Sequence, residues 1–336
     1  MARYRAVDLF AGIGGIRLGF EEAFGTDIET VFASEWDRYA LRTYKANFRT
    51  PREIAGDITA IPEKDIPPFD ICLAGFPCQA FSLAGFRKGF KDNFKGLCRG
   101  TLFMDVARIC EYHSPKVIFC ENVKGLHFHD HGRTFKIITE TFKELGYTVH
   151  WKLLNSKNFG VPQNRERVYI AAFRNDIDSS GFEFPEYTRK GKVLRDIIEE
   201  VPVDTRYYLS VNYLETLRKH KARHREKGNG FGYEIISWDG VAHAIVCGGM
   251  GRERNLIYDP RQTSFVPTSP IRSAVNREGI RRLTPRECAR LQAFPDDFVL
   301  NLADGHLYRQ LRTSVTVSVI AAAAEKIKEV LDKNRF

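Results

Sequence analysis

Four short apolar segments constrain the fold of this 336-residue chain most strongly. They span residues 4–10, 29–34, 71–74 and 116–120, and glycine-rich or amphipathic segments separate them. Strands that are buried on both faces have continuous apolar sequences, and their alternation with helices is typical of a parallel sheet. The pattern therefore predicts an α/β fold that binds its ligand at the carboxyl edge of the sheet.

Flexible or acidic residues follow the first two of these strands and a further candidate strand. The first leads into residues 11–15, Ala-Gly-Ile-Gly-Gly, a turn whose glycines allow close approach of a ligand but also serve strand-to-helix packing. The second ends at Glu35 and Trp36, where a carboxylate accepts ribose hydroxyls and an indole stacks on a purine. Asp57 and Ile58 end the further strand. Together they predict a nucleoside-cofactor site, with solvated strand-end carboxylates as the alternative.

The strand over residues 71–74 leads into the turn Phe76-Pro77-Cys78. Pro77 fixes its own φ and favours extended geometry at Phe76, which presents the Cys78 thiol at the sheet edge. A lone cysteine is more often a small buried residue than a nucleophile, so the neighbouring motifs have to decide. The next strand leads into Glu121-Asn122, which adds a carboxylate to the same edge.

Basic residues cluster in two parts of the chain, whose formal net charge is +9. Residues 81–100 lack helical or strand periodicity and mix basic with aromatic side chains, which favours closure on a phosphate backbone. Near residue 175 the strand–helix alternation stops. A basic run over residues 218–227 and the loop Gly-Asn-Gly-Phe-Gly-Tyr follow. They suit contacts to a duplex, or equally a solvated helix with a flexible turn.

Several classes of protein are disfavoured by the sequence. Seven cysteines without a Cys-x-x-Cys pair indicate neither a zinc ribbon nor a disulfide framework. His127, His129 and His131 are interpreted as solvated loop residues in preference to metal ligands. No segment has the length of a membrane span or the core of a signal peptide, so we expect a cytoplasmic protein with neither a metal nor a membrane partner.

Five motifs, in order, identify a family. They are Asp-Leu-Phe-Ala-Gly-Ile-Gly-Gly at 8–15, Gly-Phe-Pro-Cys-Gln at 75–79, Glu-Asn-Val at 121–123, Gln-Asn-Arg-Glu-Arg at 163–167 and Arg-Arg-Leu-Thr-Pro-Arg-Glu-Cys-Ala-Arg at 281–290. The chain resembles the bacterial DNA cytosine-5 methyltransferases of type II restriction-modification systems over nearly its whole length. The resemblance implies a Rossmann-like S-adenosylmethionine-dependent domain over residues 1–176, completed by residues 310–336. It also implies a smaller, mostly irregular and β target-recognition domain over residues 177–309.

The resemblance also assigns roles to individual residues. It implies catalytic roles for Cys78, Glu121, Asn122, Arg165 and Arg167, the last two at alternate positions of one predicted strand. It implies S-adenosylmethionine contacts by Phe10, Gly12, Ile13, Gly14, Gly15, Glu35, Trp36, Asp57, Ile58, Pro77, Leu102, Ser314 and Val315. DNA contacts are expected from Ser82, Arg87, Lys88, Lys91, Arg99, Asn229, Phe231, Tyr233, Arg252 and Arg254.

The implied reaction explains these residue types. A Cys78 thiolate adds to carbon 6 of cytosine, because carbon 5 is otherwise a poor nucleophile toward the donor methyl group. Glu121 hydrogen-bonds nitrogen 3 and the amino group, and Arg165 contacts the base carbonyl. The base has to leave the duplex for this chemistry. The products are 5-methylcytosine and S-adenosylhomocysteine, and the expected setting is a nucleoid-associated monomer that acts on double-stranded DNA beside a restriction endonuclease.

One segment departs from the family pattern. The family carries Gly-Asn-Ser before its last helix, whereas residues 310–315 read Gln-Leu-Arg-Thr-Ser-Val, with Arg312 and Thr313 in place of the glycine and the asparagine. The alternative hypothesis is therefore a sequence-specific DNA-binding protein whose methylation is weak or lost.

Overall fold

The computed structural model describes residues 2–49, 54–77, 102–186, 191–246, 253–267 and 273–334. The chain divides into two compact units. Unit 1 comprises Met1–Asn155, Glu166–Glu186 and Val317–Phe336, and unit 2 comprises Ser156–Arg165 and Tyr187–Thr316. Compared with the boundaries expected from the sequence, residues 156–165 and 310–316 belong to unit 2, and residues 177–186 belong to unit 1.

The strands and helices are numbered in chain order. The strands are β1 (Tyr4–Leu9), β2 (Ile28–Ser34), β3 (Ile71–Ala74), β4 (Val117–Val123), β5 (Tyr147–Asn155), β6 (Gln163–Asn164), β7 (Glu166–Arg174), β8 (Ile235–Ile236), β9 (Ala242–His243), β10 (Leu256–Tyr258) and β11 (Ile280–Arg282). The helices are α1 (Gly15–Phe24), α2 (Arg38–Asn47), α3 (Leu102–His113), α4 (Gly125–Phe128), α5 (Arg133–Glu144), α6 (Val211–Glu226), α7 (Pro285–Leu291), α8 (Asp304–Thr313) and α9 (Val317–Lys333).

A six-stranded sheet in the order β2-β1-β3-β4-β7-β5 forms the centre of unit 1. The first four strands of that order are parallel, whereas β7 runs antiparallel to β4 and to β5. The predicted α/β fold is confirmed, and the apolar segment over residues 71–74 is a strand with those bounds.

Helices cover both faces of this sheet, which explains its continuous apolar strands. Ile118 on β4 belongs to a core cluster with Phe103 of α3 and Phe142 of α5. The next residue, Phe119, points to the other face and contacts Phe20 of α1, with ring centroids 5.1 Å apart. Because successive strand residues alternate between faces, both sets of side chains must be apolar.

The C-terminal helix α9 packs against α1 within unit 1. The closest approach is at Gly19, where an added Cβ would lie 2.6 Å from the side chain of Ile320. A larger residue at position 19 would push the two helices apart. From Val317 onward the C-terminal segment belongs to unit 1.

Unit 2 has little regular structure outside its helices. It contains a three-stranded sheet in the order β11-β10-β8, a two-stranded sheet of β6 and β9, and helices α6, α7 and α8. This agrees with the expected small, mostly irregular and β domain. Across the ranges that the structure describes, no helix is both long enough and apolar enough to cross a bilayer.

Candidate active site

The strand registers of unit 1 align the four parallel strands at their carboxyl ends. Leu9 pairs with Ser34 and with Ala74, and Ala74 pairs with Cys120. The residues that come directly after these aligned positions are Phe10, Glu35, Gly75 and Glu121. Four of the strand ends singled out above are thus placed along one edge of one sheet, where open α/β folds bind ligands.

The glycine-rich turn after β1 has the left-handed backbone that its sequence suggests. Phe10, Gly12 and Gly14 have φ values of +57°, +56° and +85°. An added Cβ at Gly14 would lie 2.2 Å from the ring of Phe48, whereas one at Gly12 would meet nothing within 4 Å. The backbone at Gly14 is therefore packed against the Phe48 ring, whereas the backbone at Gly12 is open, as a ligand-binding turn requires. Ile13 and Gly15 are buried.

Glu35 ties this turn to the end of β2. Its carboxylate accepts hydrogen bonds from the backbone N–H of Gly12 at 2.8 Å and of Asp37 at 2.8 Å. Burial raises the pKa of Glu35, while the hydrogen bonds from Asp37 and Gly12 oppose that rise. Each carboxylate oxygen has a second lone pair, so these bonds remain compatible with a ribose contact. Trp36 beside it is 82% exposed, so one face of its indole is open to a planar ligand.

The described residues just before Asp57, 54–56, do not form the predicted strand. Ala55 forms only an isolated bridge to β2, and a 3₁₀ turn over Ile58–Ala60 follows. Asp57 caps this turn by accepting from the N–H of Thr59 at 3.0 Å. Sequence analysis also missed Arg108, which donates to the Ile58 carbonyl at 2.7 Å and holds this segment in place. An Asp105–Arg108 pair, spaced i,i+3 on α3, was the available signal.

Glu121 and Asn122 lie within β4 and not after it. The Nε of Arg167 on the adjacent strand β7 is 3.3 Å from Glu121 Oε1, and both side chains are largely buried. Asn122 Nδ2 donates to the Phe76 carbonyl at 2.8 Å, and Asn122 Oδ1 accepts from the N–H of Val123 at 2.9 Å. These bonds tie the Asn122 side chain to the segment directly before Pro77.

Arg165 and Arg167 do not lie on one strand, contrary to the expectation. Arg165 separates β6 from β7, and the two arginines belong to different units. The Arg165 side chain is 2% exposed, and its guanidinium donates to the Ser314 carbonyl at 2.5 Å and to the Arg312 carbonyl at 3.3 Å. Arg165 thereby fixes the segment in which the chain departs from the family pattern.

That segment accommodates its unusual residues on the surface of unit 2. The side chains of Arg312 and Thr313 are exposed at the end of α8, whereas Gln310 and Val315 are buried and Ser314 is half-buried. The residues that match the family therefore supply the packing, and those that differ point into solvent.

The predicted DNA-binding residues fall into two groups. The structure describes four, all in unit 2: Phe231 is 67% exposed, Tyr233 lies under the ammonium of Lys221, Arg254 pairs with Glu234, and Asn229 Oδ1 is 2.6 Å from His224 Nδ1. The others, together with the candidate nucleophile, lie outside the described residues. They are Cys78, Ser82, Arg87, Lys88, Lys91, Arg99 and Arg252.

Of the three histidines expected in a solvated loop, His131 is exposed, whereas His127 and His129 are half-buried. His127 is part of α4, and its ring centroid lies 4.7 Å from that of Trp151. His129 and His131 lie in the 3₁₀ turn that follows, and His129 Nδ1 is 2.7 Å from Thr134 Oγ1. In the part of the chain that the structure describes, no group of three His, Cys, Asp or Glu side chains is arranged to hold a metal ion.

A buried polar network beneath the glycine-rich turn was not anticipated. Asp8 on β1 is 1% exposed and accepts a hydrogen bond from Tyr44 Oη at 3.1 Å, and Arg17 donates to the same Tyr44 oxygen at 3.1 Å. Burial raises the pKa of Asp8 to about 7, although Arg17 and Tyr44 oppose the rise. A lone aspartate within an apolar strand was the only trace of this network in the sequence.

Comparisons with known proteins identify the family. The model of the C-5 cytosine-specific DNA methylases matches residues 4–329. The type II methyltransferase M.HpaII of Haemophilus parainfluenzae is 53% identical over 98% of this chain and 90% of its own length. M.HhaI of Haemophilus parahaemolyticus is 38% identical over 98% of this chain and 95% of its own length. These relatives do not favour the alternative of a DNA-binding protein that has lost methylation.

The fold is also found in solved structures. The crystal structure of S. pombe Dnmt2 methyltransferase superimposes with a TM-score of 0.72 and covers 99% of this chain and all of its own, at 20% identity. That identity supports the fold alone, while the family model and the sequence relatives cover nearly the whole chain. The chain therefore belongs to the C-5 cytosine-specific DNA methylases.

Proposed function

We propose that this protein transfers the methyl group of S-adenosylmethionine to carbon 5 of a cytosine in double-stranded DNA, as the modification enzyme of a type II restriction-modification system. The observation that carries the proposal is the single sheet edge that collects Phe10, Glu35, Gly75 and Glu121. Membership of the C-5 cytosine-specific DNA methylases supports the reaction, and the names of the type II relatives support a partner restriction endonuclease.

The residues at this edge fit S-adenosylmethionine. The backbone at Gly12 is open, and the Glu35 carboxylate holds the turn by accepting a hydrogen bond from the Gly12 N–H. The exposed Trp36 indole suits stacking on adenine. When bound, the cofactor supplies an electrophilic methyl group on its sulfonium. The proposed contacts are those of Phe10, Gly12, Ile13, Gly14, Gly15, Glu35, Trp36, Asp57, Ile58, Pro77, Leu102, Ser314 and Val315.

Cys78 is the proposed nucleophile. Its thiolate forms a bond to carbon 6 of the cytosine, which makes carbon 5 nucleophilic enough to take the methyl group. The proton on carbon 5 then leaves, the bond to sulfur breaks, and the thiol is released with 5-methylcytosine. A target base inside a duplex is out of reach of such a thiol, so the base has to be extruded into the site.

The described cysteines are poor alternatives for this role. Cys72, Cys110 and Cys120 are completely buried in the sheet and the helix beside it, and Cys288 of α7 is also buried. Burial raises the pKa of Cys110 and of Cys120 well above the usual range for a thiol. A thiol that is both inaccessible and protonated cannot attack a base. Cys78, in contrast, comes three residues after Gly75 at the carboxyl edge.

Charged residues of unit 1 would stabilise the reacting ring. Glu121 is proposed to hydrogen-bond nitrogen 3 and the amino group, and Arg167 orients the Glu121 carboxylate through their 3.3 Å ion pair. Asn122 is proposed to hold the chain before Pro77 through its bond to the Phe76 carbonyl. Arg165 remains the proposed contact to the base carbonyl. In that role its guanidinium would be shared with the carbonyls that it already contacts.

A trapping experiment tests this assignment. A duplex that contains 5-fluorocytosine at the preferred site should form a covalent adduct with the protein and S-adenosylmethionine, because fluorine cannot leave as the carbon 5 proton does. Peptide mapping should place the adduct on Cys78. Cys78→Ser should abolish both the adduct and methyl transfer while DNA binding is retained, and Cys98→Ser serves as the matched thiol control. Methyl transfer by Cys78→Ser would show that another residue is the nucleophile.

A further inference from the structure

The second half of helix α6 carries an unusual concentration of positive charge. Residues 218–227 include six Lys or Arg residues and one Glu, which give a formal charge of +5, compared with +9 for the whole chain. Near the inner side of the helix these charges have partners: Arg218 pairs with Glu278 at 2.5 Å, and the ammonium of Lys221 donates to the Tyr233 carbonyl at 2.9 Å.

This half of the helix contributes nothing to the core of unit 2. The buried residues of α6 are Leu214 and Leu217, and no residue from 218 to 227 is buried. A helical segment that is polar all round gains no stability from tertiary packing. Basic residues do stabilise the last turn of a helix through its dipole, but this effect does not extend to Lys219, about two turns from the end. Neither the core of unit 2 nor the helix dipole therefore accounts for the positive charge at Lys219.

Three of the basic residues form a row on the outer side. Lys219, Arg223 and Lys227 are spaced i, i+4 and i+8, so they lie on one face over about 12 Å. Arg223 is nine residues from Leu214, about 2.5 turns, which puts the row on the side opposite the packed face. Within the described residues, Arg223 and Lys227 have no acidic partner, and Lys219 lies 3.9 Å from Glu215, the outer limit of an ion pair.

We propose that Lys219, Arg223 and Lys227 contact the phosphate backbone of duplex DNA and hold the enzyme on DNA regardless of base sequence. Charge complementarity selects this partner, because a duplex presents a regular line of negative charges along which a straight row of cations can be matched. The inference rests on the proposed function only for the identity of the polyanion. It assigns the row to backbone binding, and not to reading of the target site.

Binding to a fluorescent duplex made only of A·T pairs tests the proposal, because such DNA contains no cytosine and the assay needs no cofactor. The full-length protein is titrated by fluorescence anisotropy at several salt concentrations. The test variant is Lys219→Gln/Arg223→Gln/Lys227→Gln. The control variant Arg225→Gln/Lys143→Gln/Lys326→Gln loses the same charge. Arg225 is about three turns from Leu214, so it lies on the same side of α6 as Leu214 and not in the row. Lys143 and Lys326 lie on α5 and α9, each in a solvent-exposed ion pair.

Removal of three phosphate contacts should make the negative slope of log Kobs against log salt concentration shallower by about 2.7, at roughly 0.9 per contact. The control slope should stay at the parental value, and the control variant should keep the parental kcat at saturating DNA. The proposal is overturned if the slope of the test variant is unchanged, or if the slope of the control variant becomes shallower by as much. It is also overturned if the test variant weakens binding only to the sequence that the enzyme methylates, and not to the A·T duplex. A failure of the Cys78 assignment would leave this measurement unaffected.

Discussion

Replacement of Arg281 by Met should destabilise unit 2 severely. Arg281 on β11 has no exposed surface, and its guanidinium lies between two buried carboxylates. It donates to Asp259 at 2.8 Å, to both oxygens of Glu287 at 2.8 Å, and to the Arg282 carbonyl at 2.9 Å. Methionine fills much of the same volume but supplies neither the charge nor the hydrogen bonds, so the variant isolates the polar contribution.

The loss of stability can be judged from the hydrogen bonds that each carboxylate keeps when Arg281 is absent. Asp259 retains the paired bonds from Arg261; burial alone would raise its pKa, but the bonds from Arg261 and Arg281 lower it to about 2. Glu287 keeps only the backbone N–H groups of Glu199 and Thr284 among its described hydrogen bonds, so a buried charge loses its cation. Breaking a buried ion pair on one side costs about 3–5 kcal/mol, a large share of the stability of a domain.

Urea unfolding with a single tryptophan as reporter measures this effect. Trp238 lies in unit 2 and donates to the Tyr258 carbonyl, so a Trp36→Phe/Trp151→Phe background reports on unit 2 alone. Arg218→Met is the control, because it removes an exposed pair with Glu278 and should cost no more than about 1 kcal/mol. A loss below about 1 kcal/mol for Arg281→Met would refute the reasoning, since the charges would then be adequately solvated without the arginine.

Two further predictions concern unit 1. The pKa of Asp8 rises from 3.8 to about 7 on folding, so the folded state binds its proton more tightly, and stability should fall as pH increases from about 4 to 7. Asp8→Asn, which can still accept from Tyr44, should flatten that part of the curve in urea unfolding; an unaltered slope would contradict the assignment. Asn122→Ala should lower kcat about tenfold or more, with smaller changes in the Kd for DNA, because the Phe76 carbonyl loses its donor. Equal loss of DNA affinity in filter binding would argue against a positioning role.

Local sequence patterns predicted the elements of unit 1 well. Residues 71–74 form a strand with the predicted bounds, and β1 and β2 differ from prediction by one residue at one end. Burial on both sheet faces and helical periodicity act over a few residues, so a short window contains the information. The motif order was equally visible, and it was sufficient to predict the family that the comparisons confirm.

Contacts between distant residues could not be predicted in the same way. The Asn122 side chain holds a carbonyl 46 positions away, and Arg165 holds one 149 positions away. Their residue types were recognised, but their partners depend on how the strands are ordered. The predicted strand is interrupted at Arg165 because Gln163-Asn164 pairs within one sheet and Glu166–Arg174 pairs within another.

The sequence alone thus determined the α/β class, the acidic and glycine-rich strand ends and the family. Only the tertiary structure decided that Glu121 pairs with Arg167, that Asp8 is buried beneath the glycine-rich turn, and that Arg281 carries two carboxylates. The physical reason is that apolar periodicity is a property of neighbouring residues. Hydrogen bonds and ion pairs in the interior depend on which distant groups the chain brings within about 3 Å, where burial makes an unpartnered charge costly.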